Sequence, residues 1–485
     1  MKCPHCASEI PIHQQYCSFC GKKVEVDFSV IAASVHVDEA DARARRIAQS
    51  LQPAIAFVIF LNVAAFVFAA YISATPRVEP LPVPGVVPPS PTFPQELAAH
   101  MPPVPGSPEK LLLELPRTPP RSAERLGFRR DPVRSQLHAA RGGSQEALAA
   151  IRKGLECLAS KQERSGAWAV GSSWSGGRAS WGDVGATGLA VLALLGDGHV
   201  WTSEQGALAQ AAGRGVRFLV ASQHASGRVG PDAGHYMYNH GIAAAALCEA
   251  YAMTGLELLR EPAEKAIAFL LAAQRPSGGW DYFAKEGTRA DVSVTAWQVA
   301  ALFSAALAGI DPPLAEGEKR PSRDEGLRAA GAFLDSLTHP GTFETGYDRR
   351  PEPGAKIAHP PLGPTAIALA CRGAIGQEPS SLVYRSQANI LLRPENLPQW
   401  KKEWGSGPAP TEFNAYYYWY HGTMAMRLLG GERWRTWNEA VTKTLLGAQE
   451  QDGSWPRIGQ WALDGGRVYT TAMAILTLEA TYRYP

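Results

Sequence analysis

Ala266-Ile267-Ala268-Phe269-Leu270-Leu271-Ala272-Ala273-Gln274-Arg275-Pro276-Ser277-Gly278-Gly279-Trp280 decides the fold of this 485-residue chain, because its ending returns elsewhere. Gln-x-x-x-Gly-x-Trp stands at Gln162/Gly166/Trp168, Gln274/Gly278/Trp280 and Gln449/Gly453/Trp455, with a weaker copy at Gln223/Gly227/Val229. The spacings are 61, 51 and 175 residues, the last close to three repeats of about 58. A repeat of this length is one supersecondary unit that cannot bury its apolar face alone. Each copy ends an amphipathic helix, and its Gly supplies the stop.

Some ten to twenty residues after each copy begins a second helix, apolar on nearly every side. Six such segments are expected, at 181–198, 236–255, 291–309, 359–376, 412–431 and 465–484. Several start on small residues, as at Thr187-Gly188, His240-Gly241, Thr295-Ala296, Thr365-Ala366 and Thr471-Ala472. Helices apolar all round belong in a core, so these form an inner ring and the amphipathic ones an outer ring. The predicted fold is all-α, a closed (α/α)6 toroid over residues 140–485. Repeats four and five rest on spacing alone: Leu337 stands four before Gly341, and the stretch near Leu391 has no clear copy.

The phrase resembles the QW repeat of squalene and oxidosqualene cyclases, and six hairpins resemble the α/α toroid shared with protein prenyltransferase β-subunits. Physically, the Gln can satisfy a carbonyl orphaned at a helix end and the Trp can stack on the neighbouring repeat, which makes the motif a structural staple. The resemblance implies a terpenoid-cyclase architecture and no particular reaction.

What the resemblance implies about catalysis is largely missing. Class II cyclases protonate an alkene or epoxide with the middle acid of Asp-x-Asp-Asp-Thr-Ala, and this chain has Asp291-Val292-Ser293-Val294-Thr295-Ala296. A serine hydroxyl is too weak an acid for that step, which needs a carboxylic acid held toward protonation. Asp291 reads either as heir to the role or as the N-cap of its own helix. Those cyclases also use two barrels, and one is encoded here. The prenyltransferase zinc site needs Asp-x-Cys, yet Leu155, Ala246 and Leu369 stand two before Cys157, Cys248 and Cys371. The Cys-Gly-Glu-Gln of complement-like thioester domains is absent.

The lumen still carries chemistry. Tyr236, Tyr238 and His240 open the second inner helix, Trp297 sits in the third, Tyr417, Tyr418 and His421 open the fifth, and Arg467 and Tyr469 open the sixth. These aromatics either cradle a hydrophobic ligand or fill the axis. Asp291, His240 and His421 are the weak catalytic candidates. Two functions stay open: a binding or scaffold module for an isoprenoid, lipid, glycan or peptide, and an enzyme on an isoprenoid with non-standard acid residues.

The N-terminal part reads differently. Cys3, Cys6, Cys17 and Cys20 form two Cys-x-x-Cys knuckles, so residues 1–24 read as a zinc ribbon whose four thiolates fill a structural tetrahedral site. A juxtamembrane segment, 25–52, leads to 53–74, uncharged and long enough to span a bilayer of about 30 Å as a helix. Arg43, Arg45 and Arg46 before the span put the ribbon in the cytoplasm and the toroid on the other side, periplasmic for a bacterial inner membrane. Fifteen prolines between Pro76 and Pro120, then Arg117, Arg121, Arg125, Arg129, Arg130 and Arg134, mark residues 75–139 as an extended, solvated stalk. A net charge of +2 gives no sign of nucleic-acid binding.

Overall fold

A computed structural model describes residues 126–484 apart from 180–181, 204, 286, 315–316, 353–360 and 401–413. The zinc ribbon, the membrane span and most of the stalk expected from the sequence lie outside the described residues. Among the described residues no group of His, Cys, Asp and Glu is placed to hold a metal, and no helix is long and apolar enough to cross a membrane.

The described chain holds thirteen α-helices and only isolated β-bridges. After α1 (Val133–Ala140), outer and inner helices alternate. The outer set is α2 (Gln145–Ser160), α4 (Ala207–Ala221), α6 (Arg260–Ala272), α8 (Arg323–Leu337), α10 (Leu382–Leu391) and α12 (Gly431–Ala448). The inner set is α3 (Asp183–Gly196), α5 (Tyr236–Thr254), α7 (Val292–Ala308), α9 (Leu362–Ile375), α11 (Ala415–Leu429) and α13 (Gln460–Leu478). Each inner helix packs on the next, α13 returns to α3, and α12 and α13 both touch α2, so both rings close. This is an α/α toroid.

Sequence pattern explains the two layers. In α3 every residue but Asp183 is buried, whereas α2 buries only one stripe that includes Ala147, Ile151, Leu155 and Leu158. Small residues let the inner helices approach closely: a Cβ added at Gly188 would lie 2.8 Å from the Ile242 side chain, and one at Gly241 2.6 Å from Gln298. These contacts pair helix start with helix start, so the inner helices run parallel and the toroid has two unlike ends.

The repeated phrase is the fastener, with its roles distributed differently from expectation. The Trp168, Trp280 and Trp455 indole N–H groups donate to the carbonyls of Leu158, Leu270 and Leu445 near the end of the preceding outer helix, at 2.7, 2.8 and 2.8 Å. Their backbone N–H groups donate to Thr187, Thr295 and Thr471 of the following inner helix. The Gln side chains cross to the next repeat instead: Gln162 donates to Ala211, Gln274 to Gly326 and Gln449 to Ala150. The last of these spans the closure of the ring. Gly166, Gly227, Gly278 and Gly453 all take φ near 90°, and a Cβ on any of them would collide with a carbonyl of the next outer helix.

Repeat four departs from the sequence alignment. Phe343, not Gly341, takes the left-handed position (φ 63°), and the N–H of Thr345 bonds Thr365 in the manner of the tryptophans. Gln387 reaches back from α10 to the Phe343 carbonyl and the Thr345 hydroxyl, replacing the missing glutamine from the other side. The sixth inner helix starts at Gln460, earlier than 465, and kinks at Gly466.

The boundary at 140 also moves. Residues 126–140 belong to the folded toroid, because Arg129 is fully buried and pairs with Glu249 at 2.7 Å, while Arg134 pairs with Asp197. Three arginines expected in a solvated stalk (Arg129, Arg130 and Arg134) therefore lie in folded structure. Arg129 and Arg483, which bonds Glu249 and Glu479 at 2.9 Å, plug the end of the toroid where the inner helices finish. Burial alone would raise the Glu249 pKa, but the Arg129 and Arg483 guanidinia beside it bring it below the usual carboxylate range.

Two stability predictions follow from these contacts. Gly278→Ala forces a side chain into a left-handed site against the Ala329 carbonyl and should cost at least about 1–3 kcal/mol, whereas Gly363→Ala, in open helical space, should be neutral or stabilising. Arg129→Met leaves Glu249 with Arg483 as its remaining guanidinium partner and should cost about 1–3 kcal/mol. Denaturant midpoints measure both. Because the Glu249 pKa is depressed, its contribution is present above the unfolded carboxylate pKa and should disappear as pH falls through the folded value.

Candidate functional site

At the end where the inner helices begin, the toroid opens into a cavity of about 390 Å³. Its wall combines Leu189 and Ile242 with the rings of Tyr238, Tyr282, Tyr417 and Trp461. Trp297, Tyr347 and Tyr469 complete it, and His235, Gln460 and Asp464 mark its polar edge. Aromatics reach it from helices and from loops. Tyr282 and Tyr347 lie on the loops that follow the fastening phrase, and the kink at Gly466 belongs to the helix start that carries Trp461 and Asp464.

Of the residues singled out in the sequence, Tyr238, Trp297, Tyr417 and Tyr469 line this cavity. Tyr236, Tyr418 and Arg467 do not. Tyr236 accepts the Ala284 N–H, Tyr418 donates to the Asn396 carbonyl, and Arg467 pairs with Glu450 and donates to Ser454. Tyr282, Tyr347, Trp461 and Asp464 were not singled out. The first two sit in loops without helical periodicity, and the last two precede the expected helix start.

Asp291 is fully buried and works as the N-cap of α7, its Oδ1 accepting from the N–H groups of Ser293 and Val294 at 3.0 and 2.9 Å. The Ser293 hydroxyl donates to the same oxygen at 2.9 Å, and Arg289 lies 3.1 Å from Oδ2. Burial raises the carboxyl pKa, against the opposing pull of the backbone N–H groups, Ser293 and Arg289. Tyr238 and Tyr347 both bond the Ser293 hydroxyl, Tyr347 bonds Tyr282 at 2.9 Å, and Tyr417 donates to the Ser293 carbonyl. These phenols stand between Asp291 and the cavity. Neither Asp291 nor Ser293 lines it, whereas Asp464 does.

A layer of rings divides the axis below the cavity. Trp297 stacks on Tyr420 at 5.7 Å and meets Tyr417 and His421 edge-on at 6.2 and 6.1 Å. Both candidate histidines are buried and held neutral. His240 accepts the Val229 N–H through Nδ1 and faces the Ala266 carbonyl through Nε2, and burial lowers its pKa to about 4. Such an imidazole is a satisfied core group that takes the fastening place of a threonine. His421 is pushed down to about 3 by burial, and its Nε2 has no partner among the described residues. The cysteines Cys157, Cys248 and Cys371 are free and buried, and burial raises their pKa values, so they are packing residues rather than nucleophiles.

The histidines predict a specific acid response. Between about pH 6.5 and the folded values the unfolded chain binds protons that the native chain refuses, so stability should fall as pH drops through this window. Each imidazole contributes about 3 kcal/mol of destabilisation by pH 4. His421→Phe should flatten the slope of unfolding free energy against pH between 6.5 and 3; an unchanged slope would show that His421 is not held neutral.

No protein-family model matches the sequence, and no curated protein matches it. Solved structures do. An alpha-1,6-mannanase of glycoside hydrolase family 76 from Salegentibacter sp., in complex with alpha-1,6-mannotriose, is 11% identical; the match covers 69% of this chain and 98% of that one, with a TM-score of 0.49. A type II terpene cyclase from Scytonema, in complex with geranylgeranyl dihydroxybenzoate, is 16% identical over 70% of this chain and 97% of that one, TM-score 0.46. A family 76 glycoside hydrolase from a bovine Bacteroides thetaiotaomicron strain is 13% identical over 69% of this chain and 77% of that one, TM-score 0.48. At these identities and scores the likeness says nothing of what this chain binds or does.

Proposed function

We propose that the toroid is a binding module whose mouth cavity receives an apolar chain, such as an isoprenoid or lipid tail, and that it does not catalyse cyclisation. One observation carries this reading. The hydroxyls of Tyr238, Tyr347 and Tyr417 are taken up by the Asp291–Ser293 cap, so the cavity wall is mostly ring faces and aliphatic side chains, with Asn239 and Asn414 adding amides. A wall of that kind favours an apolar ligand, with any polar head left at His235, Gln460 and Asp464 on the edge. Cyclisation would need a carboxylic acid aimed at the ligand, and the carboxylate at the cyclase-like position is engaged as a helix cap.

A second reading, an isoprenoid-processing enzyme with a non-standard acid, has one specific support in Asp464, the one carboxylate lining the cavity among the described residues. Anchoring through one transmembrane helix, with a zinc ribbon beyond it, belongs to the same proposal and is supported by residues 3–20 and 53–74 of the sequence.

Titrating the detergent-solubilised full chain with geranylgeraniol, read by tryptophan fluorescence, tests the reading. Saturable binding is expected, and Ala186→Phe, which fills the wall, should weaken it at least about ten-fold, or about 1.4 kcal/mol. No binding, or binding that Ala186→Phe leaves unchanged, would refute the mouth as the ligand site. Product formation that Asp464→Asn abolishes would decide for the enzyme.

A further inference from the structure

Below the ring layer lies a second, smaller cavity of about 80 Å³, between the later turns of α7, α9 and α11 and the C-terminal tail. Its wall is mostly apolar, with Val299, Phe303, Met424 and Leu428 among its residues; Tyr420 and Tyr484 also line it, and its two basic groups are Arg427 and His421. Among the described residues no Asp or Glu lines it.

Each of the two basic groups has a buried nitrogen without a hydrogen-bond partner among the described residues. Arg427 forms no ion pair with any described residue, and its Nε is buried without a hydrogen-bond partner. His421 is only 4% exposed, and its Nε2 is likewise without a partner. Nearby acids are engaged elsewhere: Glu249 with Arg129 and Arg483, and Glu479 with Arg483. Arg141, whose guanidinium donates to the Thr481 and Tyr484 carbonyls, adds a further positive charge to this region. Burial, and after it the nearby Arg141, lower the Arg427 pKa to about 9. A partly buried guanidinium with no counter-charge among the described residues is costly unless something pairs with it.

We propose that this lower cavity is a site for a monoanionic carboxylate with a short apolar tail, its head on Arg427 and its tail among Val299, Phe303 and Met424. The planar guanidinium fork matches a carboxylate's two oxygens. A neutral His421 can offer an Nε2 proton to the head group from the same wall. A dianion such as phosphate would leave charge uncompensated in an apolar chamber, and a carboxylate without a tail would leave the aliphatic wall empty. The site lies on the other side of the Trp297–Tyr420 layer from the mouth, so it is independent of the ligand proposed there.

Calorimetric titration of the full chain in detergent with hexanoate, 1-hexanol, acetate and inorganic phosphate tests the assignment. Hexanoate is expected to bind at least about ten-fold more tightly than each of the other three. Arg427→Met should lower hexanoate affinity at least about ten-fold while leaving the thermal midpoint equal to or above that of the parent, since it removes an unpaired buried charge. Hexanoate should raise the midpoint of the parent chain and not that of the variant. Absence of hexanoate binding, equal binding of hexanol, tighter binding of phosphate, or affinity untouched by Arg427→Met would each overturn the proposal. So would binding that survives Arg427→Met and disappears in Ala186→Phe, because it would belong to the mouth.

Discussion

The bond from the Gln449 side chain to the Ala150 carbonyl, 2.9 Å long and 299 residues apart in sequence, is the contact that turns a stack of hairpins into a ring. Its equivalents at Gln162, Gln223 and Gln274 join neighbouring repeats in the same way. Each hydrogen bond is modest alone, about 0.5–1.5 kcal/mol. Together they tie each of these turns to the next outer helix, and the same kind of bond spans the seam where the chain returns to its start. Glycine at a left-handed position allows the approach, and an indole N–H closes the helix end that the turn exposes. The motif therefore belongs to architecture, and the ring it builds leaves an axis that side chains must fill or line.

How the axis is filled determines what the protein can do. One end is plugged by Arg129, Glu249, Glu479 and Arg483, the middle by the Trp297–Tyr420–His421 layer, and the other end stays open. Asp291, in the place where a cyclase-like acid would stand, is covered by tyrosines and occupied with its own helix start. A carboxylate in that setting caps its helix and, through Ser293, holds the tyrosines that line the mouth.

Much of this was legible in the sequence, because helix periodicity and a repeated turn are local signals. The six apolar segments match the inner helices to within a few residues, apart from the sixth, where Gly466 kinks a helix that has already begun at Gln460. The site was only half legible. Tyr238, Trp297, Tyr417 and Tyr469 could be found because they open inner helices, whereas Tyr282 and Tyr347 enter from loops whose direction depends on the closed ring. Arg129 and Arg134 looked like solvated stalk residues, since arginines among prolines carry no local sign that a distant Glu249 or Asp197 will receive them. The repeat-four fastener was missed for a related reason: its glutamine, Gln387, comes from the following helix.

The most direct measurement is a crystal structure of the full chain grown with geranylgeraniol. The account predicts ligand density along the ring faces of Tyr238, Tyr417 and Trp461, above an unbroken Trp297–Tyr420 layer, with both Asp291 oxygens still facing Ser293, Val294 and Arg289. Density in contact with an Asp291 oxygen, or an empty mouth closed by collapsed side chains, would contradict it.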